Sequence, residues 1–165
     1  MPKTSKSSKR TPPLSRKGHD VMLKPVDVVT RFWKNGNKHD LEAVFALIHP
    51  DIESDYFSGP IKGKDFFIRA MAAYATAFPD SHDEVTSMIA QGEFVACEYL
   101  ETATFKGPLQ SLGSTVPPNN RRYSLRVASF FRVDSSGLIT EMRNYFDSAI
   151  FSEQTGIDLK SLQKG

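Results

Sequence analysis

Apolar positions along the chain recur with two periods in turn. Up to Pro79 the spacing is helical. Pro25 suits a first helical turn, where its missing N–H is harmless. Val26, Val29 and Trp33 then follow at i, i+3 and i+7, with Phe32 beside them, and Asn35-Gly36-Asn37 stops the helix. Asp40 is placed to cap a second helix, with Leu41, Val44, Phe45 and Ile48 on its apolar face and His49-Pro50 at its end. A short extended stretch over 52–57 leads to Gly59-Pro60. A third helix is predicted from near Asp65, striped by Phe67, Met71, Tyr74 and Phe78 and ended by Pro79.

After Pro79 the period drops to two. It predicts strands over 83–90, 94–106, 121–133 and 138–147, with turns at Gln91-Gly92-Glu93 and Asp134-Ser135-Ser136-Gly137. Gly107, Pro108, Gly113, Pro117 and Pro118 make 107–120 a loop. A short helix from Ser148 to Gln154 closes the pattern. Helices first and antiparallel strands second predict an α+β domain. A curved sheet wrapped around the helices gives a cone with a mostly apolar cavity.

The 165 residues suit one domain, and 39% hydrophobic with 24% charged residues suits a soluble globular one. Residues 1–22 are rich in Ser, Lys, Pro and Thr and read as a disordered basic tail. The folded domain is expected over 23–156 and a C-terminal extension over 157–165. Six of the 21 basic residues lie within 1–19, where there is no acid, so the rest of the chain holds 15 against 19 acids. A basic tail on an acidic body does not suit a nucleic-acid-binding domain. Cys97 alone cannot build a disulfide framework or a Cys-rich zinc site, and the four histidines lack metal-ligand spacing. No apolar run reaches a membrane span's length, and no secretory core opens the chain, so the expected location is cytoplasmic. Gly59-Pro60-Ile61-Lys62-Gly63-Lys64-Asp65 is not a phosphate loop: its glycines are too close, and Asp65 stands where Ser or Thr would hold magnesium. No dinucleotide fingerprint or serine nucleophile elbow is present. Chemistry without cofactor or metal, or plain binding, is what remains.

Between Val26 and Gly156 a series of short segments follows in order. They are Ile48-His49-Pro50-Asp51-Ile52, Gly63-Lys64-Asp65-Phe66, Ala77-Phe78-Pro79-Asp80-Ser81-His82, Pro117-Pro118 before Arg121-Arg122-Tyr123, Phe131-Arg132-Val133-Asp134 with Gly137-Leu138-Ile139, Tyr145-Phe146-Asp147-Ser148 and Gln154-Thr155-Gly156. This series resembles the SnoaL-like polyketide cyclases of the nuclear transport factor 2-like superfamily. The resemblance implies a cone barrel, a homodimer through the outer face of the sheet, and cofactor-free aldol ring closure. It also implies a last-strand aspartate as acid/base with a histidine on the strand before. Here those positions hold Asn144 and Ser129. The similar limonene-epoxide hydrolases add an Arg-x-Asp pair, which here is Tyr99-Leu100-Glu101, and a Tyr and an Asn, which here are Ser54 and Tyr56.

Strand parity and the resemblance together turn three faces toward the cavity. They carry Val95, Cys97, Tyr99, Glu101, Ala103 and Phe105; Tyr123, Leu125, Val127, Ser129 and Phe131; and Leu138, Thr140, Met142, Asn144 and Phe146. Glu101, Asn144 and Tyr99 are the expected catalytic residues. Tyr56, Ser129, Val127, Met142, Phe146 and Cys97 are the expected substrate contacts. Burial would raise the Glu101 pKa and suit it to proton transfer, and Asn144 with a tyrosine would hold an enolate oxygen. The bland alternatives are Glu101 paired with Arg126, Arg132 or Arg143, and Asn144 as a structural hydrogen-bonding residue. Asp147 reads as an N-cap, His82 as a surface residue and Cys97 as a small apolar one. The leading expectation is a cyclase, isomerase or dehydratase of secondary metabolism acting on a small hydrophobic polyketide- or terpenoid-type metabolite. A non-catalytic ligand-binding or dimeric interaction protein is the alternative. An epoxide hydrolase is a third reading, opposed by the missing arginine at Tyr99.

Overall fold

A computed structural model describes residues 23–56, 59–111 and 114–162; the basic tail expected over 1–22 lies outside the described residues. Helices α1 (Pro25–Gly36) and α2 (Leu41–Phe45) come first. Strands β1 (Ile48–Tyr56) and β2 (Gly59–Lys62) and helix α3 (Lys64–Ala77) follow. The rest is β3 (His82–Gln91), β4 (Phe94–Thr104), β5 (Leu109–Ser111), β6 (Ser114–Val116), β7 (Arg122–Val133), β8 (Ile139–Phe146), α4 (Ser148–Thr155) and α5 (Leu159–Leu162). Six strands form one sheet in the order β2-β1-β8-β7-β4-β3, antiparallel except for the parallel β1–β8 pair. The fold is α+β, as expected.

Local chemistry explains the element ends. Pro25 opens α1, which buries Val28, Val29, Phe32 and Trp33. Asp40 and Asp147 cap α2 and α4 by accepting backbone N–H groups, at Ala43 and at Ala149 and Ile150. Gly156, at φ 75°, ends α4 in the left-handed conformation that glycine adopts without penalty. Beyond it Ile157, Leu159 and Leu162 are buried in the same core as the rest of the sheet. Phe78 joins that core from the end of α3, with its ring against Tyr74, Phe105 and Tyr123.

Three local expectations are corrected. The second helix does not reach Ile48, because Ile48 pairs with Ile139 and starts β1. The register shift between Ile48 and Glu53 accommodates Pro50, which a regular inner strand would not. The 107–120 loop contains the small hairpin β5–β6, anchored by buried Leu109. A shift in the β7–β8 ladder turns Ile139 into the core in place of Leu138 and Thr140.

Gly107 joins the end of α3 to the sheet. Its N–H and that of Lys106 both donate to the Ala77 carbonyl, at 3.1 and 2.9 Å. A Cβ at Gly107 would overlap the Thr76 carbonyl oxygen, which is backbone and cannot swing aside. Gly107→Ala is therefore expected to cost about 1–3 kcal/mol, the range of overpacked sites, and to lower Tm by about 2–12 °C in a thermal melt. An unchanged Tm would show that this junction yields without cost.

Candidate functional site

The inner face of the sheet and the helices across it enclose a cavity of about 150 Å³. Its walls are mostly apolar: Phe32, Trp33, Leu41, Val44, Met71, Leu125, Val127, Met142, Phe146 and Phe151. Among polar side chains, Tyr74, Asp83, Tyr99, Glu101, Asn144, Asp55 and His39 face into it. An engineered cavity of about this size takes a benzene ring, so the enclosed part holds one ring-sized group.

Glu101 sits in the middle of β4 with its Oε1 bonded by two phenols. Tyr74 donates from α3 at 2.5 Å, and Tyr123 donates from the neighbouring strand β7. The two phenol oxygens are 2.8 Å apart. Burial pushes the Glu101 carboxyl above its ordinary range, and the two phenolic hydrogen bonds pull the other way without cancelling it. Burial and the adjacent carboxylate push the Tyr74 and Tyr123 phenols far up, so both remain donors. None of the three candidate arginines pairs with Glu101. Arg132 holds Glu93 at 3.1 Å, Arg143 holds Glu141 at 2.8 Å, and Arg126 is exposed.

A second polar group forms on β7 and β8. Ser129 donates to Asn144 Oδ1 at 2.5 Å. The Ser129 hydroxyl also stands 3.2 Å from the Tyr99 phenol oxygen, which can share its one hydrogen. This chain occupies the carbonyl end of the Asn144 amide and leaves its N–H₂ for the cavity. Tyr99 lines the wall, its ring tilted against that of Trp33 with centroids 4.4 Å apart, and its hydroxyl meets Ser129.

Glu101, Tyr99, Asn144, Val127, Met142 and Phe146 thus all line the cavity, as the strand faces implied. Ser129 and Cys97, expected to touch a ligand, stand one layer behind. The Cys97 thiol donates to the Ser129 carbonyl at 3.7 Å, and burial pushes its pKa to about 11, which makes it inert. The Trp33 N–H is buried beside that thiol, a weak acceptor, and makes no full hydrogen bond to a described residue. The side chain of Tyr56 lies outside the described residues. His82 is exposed on the edge strand β3.

Sequence reasoning missed Tyr74 and Tyr123 as partners of Glu101, and Asp83 altogether. Asp83 is the register partner of Glu101 across β3–β4. Its backbone N–H and carbonyl are both held by the Asn37 side chain, at 2.8 Å each, which ties the end of α1 to the sheet edge. Burial and the Glu101 charge raise the Asp83 carboxyl to about 8. Among the described residues no group of three or more His, Cys, Asp or Glu side chains is arranged to hold a metal ion. No helix there is long and apolar enough to cross a membrane.

Comparison with solved structures gives the same architecture. AclR from Streptomyces galilaeus, described as a candidate hydroxylase, aligns with a TM-score of 0.67 at 23% identity, covering 82% of this chain and 97% of its own. IdmH from Streptomyces antibioticus, described as a candidate polyketide cyclase, aligns at 0.66 and 23% identity, covering 82% and 100%. A SnoaL-like polyketide cyclase candidate from Jannaschia sp. CCS1 aligns at 0.69 and 22% identity, covering 81% and 93%. At such identities the likeness is one of fold. No curated protein matches the chain in sequence. Residues 29–142 match the SnoaL-like domain, and this span holds most of α1, the first half of β8 and every polar group of the cavity wall except Asn144. With that match over most of its length, on the cone fold seen in those structures, the chain belongs to the SnoaL-like domain family.

Proposed function

We propose that the protein is a cofactor-independent enzyme that moves protons on a small hydrophobic, oxygenated metabolite of polyketide or terpenoid type, as a cyclase, isomerase or dehydratase. The observation that carries this reading is the Glu101 carboxylate, bonded by two phenols in an apolar cavity and raised in pKa. A carboxylate made more basic by burial is suited to take a proton from carbon next to a carbonyl. The electron pair left behind moves onto the carbonyl oxygen. The Asn144 N–H₂, aimed by Ser129 and Tyr99, is suited to receive that oxygen. Neighbours described as cyclase and hydroxylase candidates support a site whose chemistry varies on one scaffold.

Assembly is read the same way. The outer face of the sheet exposes Phe94, Phe130 and Tyr145, with Phe130 edge-on to Tyr145 at 5.7 Å. Together with the family resemblance this supports a homodimer through that face. Sedimentation at micromolar concentration should give twice the 18.4 kDa chain mass. Phe130→Glu should return the monomer, and a wild-type monomer would remove the interface.

The test of the reaction is product formation from candidate polyketides and terpenoids by wild type and two variants. Glu101→Gln keeps shape but loses the titrating proton, and kcat should fall by about 10²–10⁴-fold. Ser129→Ala frees the Asn144 amide to turn, and should lower kcat with KM little changed. Unchanged turnover in Glu101→Gln removes Glu101 from the mechanism. Tight binding of one compound without turnover by wild type would favour a binding protein on the same fold.

A further inference from the structure

We propose that Asp83 and Glu101 form a carboxyl pair holding one proton, with Asp83 as the acid and Glu101 as the base of one reaction on a single face of the substrate. The proposal rests on the enzymatic reading above and adds a second reacting group to it.

Geometry brings the two carboxyls together. Asp83 and Glu101 are directly opposed on neighbouring antiparallel strands, where Cβ atoms stand about 4.5–5.5 Å apart. Both side chains line the cavity. Their position is braced from both sides, by Asn37 on the Asp83 backbone and by two tyrosines on Glu101. The pair is also asymmetric. Both phenols donate to Glu101, which favours the charge there, whereas the Asp83 carboxyl receives no donor from a described residue.

The titratable groups around the pair are Tyr74 from α3, Tyr99 and Cys97 from β4, Tyr123 from β7, and Asp55 and His39 elsewhere in the cavity wall. No lysine or arginine lines the cavity among the described residues. Two adjacent carboxylates in an apolar wall without a cation cannot both ionise at neutral pH. One proton stays, and the asymmetry of donors leaves it on Asp83. The rise of the Asp83 carboxyl to about 8 agrees with this.

The chemistry balances within the pair. Glu101 forms an O–H bond as the substrate C–H bond breaks, and the electron pair moves to the carbonyl oxygen beside Asn144. Asp83 gives its proton to the atom that needs one. That atom is the distal carbon in an isomerisation, a hydroxyl leaving as water in a dehydration, or the new alkoxide in a ring closure. Glu101 then returns its proton to Asp83 across the pair, and the resting state is restored. Both protons cross on the same side of the substrate, because both carboxyls stand on one wall.

The test is a carbon-13 NMR titration of the full-length protein, labelled at the Asp and Glu carboxyls, from pH 4 to 10. In wild type, one carboxyl should titrate near pH 8. That step should vanish in Asp83→Asn. In Glu101→Gln, where the neighbouring charge is gone, it should move down by more than about one pH unit. A step near 8 that survives Asp83→Asn, or that Glu101→Gln leaves in place, overturns the pair.

Melting supplies an independent reading. The unfolded Asp83 loses its proton near 3.8 and the folded one near 8, so its contribution to stability is complete below pH 4 and lost as pH rises through 8. Tm should fall across that window in wild type and fall less in Asp83→Asn. On an identified substrate, Asp83→Asn should lower kcat by about 10²–10⁴-fold and abolish the alkaline limb of the rate profile. If that limb persists while the titration is as expected, the shared proton stands and the acid role of Asp83 is overturned. If the titration is as expected and wild type turns over nothing, the pair stands and the enzymatic reading beneath it fails.

Discussion

The β4–β7 ladder is the constraint on which the site depends. It runs from Phe94 opposite Arg132 to Thr104 opposite Arg122 without a shift in register. That regularity puts Tyr99 and Glu101 on the same face as Ser129 and Tyr123. A slip of one residue would turn the slipping strand's pair outward, and would bring Leu100 into the cavity from β4 or Arg126 and Phe130 from β7. Buried Val95, Ala103, Leu125, Val127 and Phe131 on that same face oppose such a slip, because each would lose its core contacts. The polar groups therefore hold their places because the apolar residues between them do.

Much of this was legible in the alternation of residues. Alternation over 94–106 and 121–133 identified the inward faces, and Glu101 stood out as an acid among apolar neighbours. The partners of Glu101 were less legible. Tyr74 reads as part of a helical apolar stripe, and only the packing of α3 against the sheet shows that its hydroxyl reaches a carboxylate. Asp83 was hidden by a bulge. Counting back from the Gln91–Phe94 end of the hairpin places Glu84 opposite Glu101, but the register shift between Val85 and Ser87 brings Asp83 there instead. No residue type in that stretch announces the bulge. The same kind of shift, at the start of β8, hides from the alternation that Ile139 and not Leu138 or Thr140 is the core residue.

Burial and hydrogen bonding divide the labour in the cavity. Ser129 is wholly buried and never meets the interior space, yet it decides which end of the Asn144 amide does. Tyr99 does the same one step further back, while its ring serves as wall. Orientation of a group that touches ligand is thus set by groups that do not.

The chain holds a single tryptophan, and it is built into this wall. Trp33 lies 4.4 Å from the Tyr99 ring and edge-on to Phe32 and Phe131, with its buried indole N–H beside the Cys97 sulfur. Ultraviolet emission excited at the red edge of protein absorption therefore comes from one place in the molecule. The protein carries its own optical gauge of whether that space is wet, dry or filled.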